Sequence, residues 1–176
     1  MHRDLPTVVL RTERLLLRHM TAGDAGFILD LLNEPPYLRF IGDRGVRTIE
    51  AARDYILTGP ADMLRRLGFS FYIVELEETG TPVGVCGLAK RDFLDDVDIG
   101  YAFPAQYWGQ GYAYEAASAV LAHAKNDIGL TRIVATVRPD NAASIRLLEK
   151  LGLRFERTLQ PVGETPELNL FGMALA

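Results

Sequence analysis

Asp98-Ile-Gly-Tyr-Ala-Phe-Pro-Ala-Gln-Tyr-Trp-Gly-Gln-Gly-Tyr-Ala-Tyr-Glu115 is the stretch that decides how this chain is read. An apolar strand over residues 97–103 ends at Pro104, which has no N–H to give to a ladder. Gln106-Tyr-Trp-Gly-Gln-Gly111 follows, and its two glycines permit positive φ and close approach of a ligand to the backbone. Ala113, Ala116, Ala117, Val120, Leu121, Ala124 and Ile128 then recur at helical spacing as one apolar stripe. Strand, glycine turn and helix N-terminus together aim successive N–H groups outward at the positive end of a helix dipole, which makes an anion cradle. No Lys or Arg occurs between Asp92 and Ala124, so the backbone from Trp108 through Gly109, Gln110, Gly111 and Tyr112 to Ala113 must hold the anion. A diphosphate suits such a row of donors. Any further phosphate needs cations from elsewhere, with Arg138, Arg146 and Lys150 as candidates. A dinucleotide fingerprint is excluded because Tyr114 stands where its third glycine belongs, and no GxxxxGK[ST] phosphate loop is present. On the glycines alone, a tight turn without a ligand stays open.

Outward from this stretch, residues 15–19 read as a strand, and Thr21 and Asp24 offer N-caps to a helix over 25–33 that Pro35-Pro36 stops. Tyr37, Leu38, Phe40 and Ile41 then read as a loop that either walls an acceptor pocket or packs on the core. Helices are predicted over 49–57 and near 61–67. Residues 69–76 and 82–89 are β-branched, apolar runs around the hairpin signal Glu77-Glu78-Thr79-Gly80-Thr81. After the glycine turn and its helix come a buried strand over 133–137 and a helix capped by Asp140 or Asn141. Gly152 stops that helix, and strands follow over 153–159 and 167–175. The order predicts a mixed α/β sheet, not a uniform βαβ repeat.

The 176 residues, 48% hydrophobic and 24% charged, fit one domain over 1–176. No run of about 18 apolar residues exists to span a membrane. Met1 to Pro6 lack the apolar core of a secretory signal. The single cysteine, Cys86, excludes an internal disulfide framework and suits a cytoplasmic location. A net charge of -4 argues against a nucleic-acid partner. His2, His19 and His123 are scattered, which leaves no metal-ligand spacing.

Gln106-x-x-Gly109-x-Gly111 with its flanks resembles the coenzyme A motif of the GNAT superfamily of N-acetyltransferases. Asn141-Ala-Ala-Ser144-Ile-Arg-Leu-Leu-Glu-Lys-Leu-Gly152-Leu153 resembles the segment after that family's fifth strand. Thr12-Glu-Arg-Leu-Leu-Leu-Arg18 with Asp24 resembles the start of the subgroup of ribosomal-protein alanine and serine N-terminal acetyltransferases. The resemblance implies a largely antiparallel sheet of about seven strands, with helices on both faces and splayed fourth and fifth strands. Acetyl-CoA as cosubstrate would enter the gap, its pantetheine arm along Tyr101, Ala102 and Phe103 and its pyrophosphate on 108–113. Asn141, Ser144 and Lys150 would approach it as well. Tyr107 and Gln110 depart from the pattern, since those positions are often basic in the family, and Leu153 replaces a common Phe.

The implied reaction is direct attack of a primary amine, on a peptide N-terminus or a small molecule, in a ternary complex. Asp98 is the candidate base, and Glu164 in the late loop is a second carboxylate. Many relatives place a tyrosine acid where this chain has Leu148, so Ser144 becomes the candidate acid, with Tyr101 and Tyr112 as further donors. A solvated strand residue is the competing reading of Asp98, and a plain helix residue that of Ser144. Leu148 also keeps open a catalytically silent acetyl-CoA-binding sensor. The chain would act as a monomer or a homodimer.

Overall fold

The computed structural model describes residues 7–163 and 166–175. Val8–Arg11 (β1) and Leu15–His19 (β2) pair antiparallel. β1 is an addition to the expected strands, because its four residues lie on an edge, half-buried at best, and present no clear alternation in the sequence. Leu15, Leu16 and Leu17 are buried, and Arg18 leaves β2 to hold the buried Asp24 through Nη1 at 2.9 Å and Nη2 at 2.8 Å. Asp24 also accepts from the Thr21 N–H at 2.8 Å, which fixes the entry to Ala25–Leu32 (α1). The Arg18 and Asp24 of the opening motif are therefore one structural clamp.

Pro35-Pro36 does not merely stop a helix; it starts one, Pro35–Phe40 (α2), because proline at the first helical positions has no N–H to lose. Glu34 before it is extended, as a residue preceding proline prefers. Tyr37 is thus a buried helical residue, not part of a loop. Ile49–Thr58 (α3), capped by Thr48, and Pro60–Leu67 (α4) meet at Gly59. Phe71–Leu76 (β3) and Pro82–Ala89 (β4) form the expected hairpin, and Asp98–Ala102 (β5) pairs antiparallel with β4 along its length.

Tyr112–His123 (α5) crosses back over the sheet and ends in a π-helical turn, Ala124–Ile128. Arg132–Val137 (β6), Ala142–Leu151 (α6), Arg154–Leu159 (β7) and Leu168–Ala174 (β8) complete the chain. The sheet has eight strands in the order β1-β2-β3-β4-β5-β6-β8-β7, antiparallel except for β5 with β6. Leu17, Val74, Cys86, Ile99 and Phe103 pack against Ala116, Ala117 and Val120 of α5 on one face. Ile73 and Ala102 pack against Ile28, Leu31 and Ile56 on the other. Fully buried alanines let α5 lie close to the strands.

His123 belongs to this buried face and is not off the stripe: it sits beside Tyr72, whose hydroxyl is 3.4 Å from Nε2, and its Nδ1 is 2.7 Å from Asp127. A residue three positions beyond Val120 is only about 60° around the helix from it, within a stripe of ordinary width.

The turn between β1 and β2 is bolted to α5 through Glu115. That carboxylate accepts from the Thr12 hydroxyl at 2.5 Å, the Arg14 N–H at 3.0 Å and Arg14 Nε at 2.7 Å. Burial pushes its pKa up, but Thr12 and Arg14 more than offset this, so it lies below the usual range. A depressed carboxylate pKa gives stability that is whole above the ordinary glutamate range and lost as pH falls through the folded value. Glu115→Ala is expected to cost about 2 kcal/mol, or roughly 4–8 °C in Tm. Urea titrations at neutral and acidic pH check it: the deficit should shrink in acid, and a pH-independent deficit would count against the clamp.

Candidate active site at the parting of β5 and β6

β5 and β6 run parallel but share a single register point, Asp98 with Val134, where the Val134 N–H donates to the Val97 carbonyl at 3.1 Å. Beyond it the strands part. β6 turns to β8, and among the described residues no strand lies beside the 99–102 edge of β5 on that side. The splay expected of the fourth and fifth predicted strands is this gap, with the extra β1 shifting the count by one.

At the wide end of the gap stands the glycine turn. Gly109 and Gly111 have φ of 77° and 83°, left-handed values that side chains with a Cβ avoid. The N–H groups of Gly109, Gln110, Gly111, Tyr112 and Ala113 have no acceptor among the described residues. Trp108 differs: its N–H closes a turn on the Ala105 carbonyl at 3.1 Å, and its indole donates to the Phe103 carbonyl at 2.7 Å. It braces the turn, and the free amide row begins one residue later.

Sequence reasoning missed a cation here. Arg14 Nη1 donates to the Gln110 carbonyl at 2.8 Å, and its guanidinium stacks 4.6 Å from the Tyr112 ring centre. A Cβ built on Gly111 would meet Arg14 Nη2 at 3.3 Å. Lys150 reaches the same helix end from α6, its Nζ 4.1 Å from the Tyr114 ring centre. Arg138 is spent on Asp140 at 3.2 Å. The signal that could have pointed to Arg14 is its place in the Thr12-Glu-Arg motif.

Across the gap, Tyr101 of β5 meets Ser144 of α6. Their hydroxyls are 2.7 Å apart, and burial pushes the Tyr101 pKa up to about 12. Asn141 caps α6 by accepting from the Ser144 N–H at 3.2 Å, which sets Ser144 toward the tyrosine. Leu148 is buried in the core under α5. Ala102 and Phe103 are buried as side chains, so only their backbone is offered to the gap.

Asp98 lies where the strands part and is only 3% exposed. Its Oδ2 accepts from Arg91 Nε at 3.1 Å, while Oδ1 is buried with no partner among the described residues. Burial pushes this carboxyl above the usual range, and Arg91 only partly offsets it. By strand alternation Asp98 shares a face with Ala102, the side of α1 to α3. Glu164 lies outside the described residues. Cys86 is fully buried, and burial raises its thiol pKa, so it offers no nucleophile. No cluster of metal-ligating side chains occurs among the described residues. Two cavities, of about 270 and 130 Å³, are lined by Phe27, Glu34, Pro104 and neighbours and by Leu94, Arg132, Glu156 and neighbours. The larger touches the start of the glycine turn at Gln106 and Tyr107, and neither is lined by Asp98, Tyr101 or the amide row from Gly109 to Ala113.

The model of the acetyltransferase (GNAT) domain family matches residues 14–154. The uncharacterized N-acetyltransferase YoaA of Bacillus subtilis (strain 168) is 34% identical over 153 residues, 86% of each chain. The solved acetyltransferase (GNAT family) from Bacillus anthracis superposes with a TM-score of 0.78 at 24% identity, covering 96% of this chain and 99% of its own. RimL, a ribosomal alpha-N-protein acetyltransferase solved in complex with coenzyme A, superposes with a TM-score of 0.80 at 18% identity, covering 96% of this chain and 98% of its own.

Proposed function

This chain belongs to the GNAT acetyltransferase family, and from that premise we propose that it moves the acetyl group of acetyl-CoA to a primary amine by direct attack in a ternary complex. The observation that carries the reading is the Asp98 oxygen, buried without a partner among the described residues at the point where β5 and β6 part. A buried acceptor left unpaired is costly, and an ammonium N–H of the acceptor would satisfy it.

Acetyl-CoA supplies the activated acyl carbon; this chain supplies the rest. Its amide row from Gly109 to Ala113, with Arg14 and Lys150 beside it, fits the pyrophosphate. Asp98 takes the proton from the ammonium, a task that suits a carboxyl raised by burial. The freed amine forms its bond to the thioester carbon as the carbon–sulfur bond breaks. Tyr101, relayed through Ser144, gives its proton to the leaving thiolate. The relatives' tyrosine would stand at Leu148, and the Tyr101–Ser144 pair takes over its role from the opposite wall.

Leu148 in the core also favours a second reading, a silent acetyl-CoA-binding sensor. Thiol release from acetyl-CoA, measured against small amines and peptides with free N-termini, separates the two. Turnover that depends on an amine is expected, and coenzyme A binding without turnover on any acceptor would leave only the sensor. Tyr101→Phe is expected to lower kcat about a hundredfold with coenzyme A affinity unchanged; an unchanged kcat would remove the tyrosine from the relay.

A further inference from the structure

The loop that joins β4 to β5, residues 90–97, is fastened across the point where the sheet divides. It belongs by sequence to the β4–β5 hairpin, yet its Leu94 is buried against Val134 of β6 and Leu170 of β8. Its Asp96 accepts from Arg132 Nε of β6 at 3.0 Å, and Arg132 also pairs with Glu156 of β7. That pair lies on the β8 backbone, where a Cβ on Gly172 would meet Arg132 Nη1 at 2.9 Å. Within the loop, the Arg91 carbonyl accepts from the Leu94 N–H at 3.1 Å and from Lys90 Nζ at 2.9 Å. Arg91 therefore stands on a backbone held from both halves of the sheet.

Arg91 Nε donates to Asp98 Oδ2 at 3.1 Å, and no other side chain among the described residues donates to that carboxylate. Ala89 and Val134, the register partners of Asp98 on β4 and β6, are apolar. Lys90 adds positive charge from the loop, but its ammonium is engaged by the Arg91 and Leu94 carbonyls. The helical side contributes the phenols of Tyr37 and Tyr55, with burial pushing Tyr55 up to about 12, and Arg44 lies 3.5 Å from the Tyr37 hydroxyl. One contact through Nε is a middle course for a buried carboxyl. A two-point fork would occupy both oxygens and hold the carboxylate too weakly basic to take a proton. With no cation at all, burial would keep the carboxyl protonated and useless as a base. A single contact keeps the charge available and leaves Oδ1 open.

We propose that Arg91 is a positioning residue for acetyl transfer: its Nε holds one oxygen of Asp98 so that the other meets the acceptor amine, and its charge keeps the carboxylate ready for the proton. This rests on Asp98 being the base of the proposed reaction. The contacts of Leu94 and Asp96 tie Arg91 to β6 and β8 at the place where β5 leaves β6, so the carboxylate is set against both strands and not against β5 alone.

The test follows Asp98 in wild type, Arg91→Gln and Arg91→Lys by two routes. Carbon-13 carboxyl NMR, with Asp98→Asn identifying the resonance, titrates the resting enzyme. pH–rate profiles with the best acceptor from the panel of amines and peptides titrate the working one. Arg91→Gln is expected to raise both midpoints by about one pH unit or more. Below the midpoint that is a roughly tenfold loss of kcat, recovered at high pH, with coenzyme A affinity unchanged. Arg91→Lys, which keeps the charge but not the planar Nε donor, should show a smaller rise. In an Asp98→Asn background Arg91→Gln should lower the rate no further, whereas an arginine that only supports the fold would cost the same in both. An NMR midpoint that rises while the rate profile stays put would uphold the hold of Arg91 on Asp98 and sink Asp98 as the base. Midpoints that stay put in both measurements, with the acidic limb of the rate intact, would overturn the positioning role and leave the base reading standing.

Discussion

Gly111→Val is expected to weaken coenzyme A binding by about a hundredfold or more. Gly111 holds φ at 83°, and its N–H is one of five consecutive donors, Gly109 to Ala113, without an acceptor among the described residues. A β-branched side chain there drives the backbone from the left-handed region and swings the neighbouring amides off their common target. Its Cβ would also crowd Arg14 at 3.3 Å. Misdirecting two charge-assisted hydrogen bonds costs about 3 kcal/mol or more, which is the hundredfold. Backbone strain of about 1–3 kcal/mol should appear in the Tm as well. The control is Gly68→Val, at φ 81° with open space around its Cβ and at the far end of α4. It carries comparable strain but touches no cradle, so it should lower Tm and leave the calorimetric Kd for coenzyme A alone. Equal losses of affinity in both variants would mean that Gly111 matters only for folding. Unchanged affinity in Gly111→Val would remove the cradle.

The contrast between these two glycines marks what could be read from the chain without its fold. A left-handed glycine followed by a helix, or Asn141 capping α6 with Gly152 ending it, is local chemistry, and both were legible in a few residues. The splay was legible only through resemblance. Nothing local in residues 97–103 says that β5 will leave β6 after one residue pair. The pieces that complete the proposed site come from far along the chain. Arg14 meets Gln110 across 96 positions, and Tyr101 meets Ser144 across 43. Contacts of that kind arise from packing, so periodicity and spacing carry no trace of them.

Other differences between expectation and fold have equally physical origins. Proline both ends and begins helices; the sequence suggests the first property for Pro35-Pro36, and α2 uses the second. As a helix this segment brings Arg39 to Asp140 and buries Tyr37 next to Arg44. The expectation that backbone donors do most of the work at the glycine turn took no account of Arg14, which donates to the Gln110 carbonyl. Arg14 brings a guanidinium that is already paired with Glu115, so the turn gains a donor and rigidity more than net charge.

Asp98→Asn is expected to lower kcat by about 10²- to 10³-fold at neutral pH while leaving the protein as stable or more so. The two effects have opposite signs for one reason. Burial raises the Asp98 pKa, and the Arg91 contact only partly opposes this. A carboxyl whose folded pKa is raised is favoured in its protonated form, so its stabilising contribution is greatest in acid and is lost as pH rises through the folded value. At neutral pH the charged side chain is therefore a net cost to the fold. Asparagine has no charge to bury and keeps an oxygen for Arg91 Nε, which now sits 3.1 Å from the carboxylate. As a base, the same carboxyl works only when deprotonated, so the wild-type rate should fall in acid with a midpoint above the ordinary aspartate range. The variant should lack that acidic limb. A pH–rate profile and urea titrations on both proteins read out the pair of effects. A variant that loses activity in proportion to stability would make Asp98 a structural residue, and one that keeps the acidic limb would hand the proton to another group. Loss of rate with stability held or gained is what a buried, unpaired oxygen kept for a substrate requires.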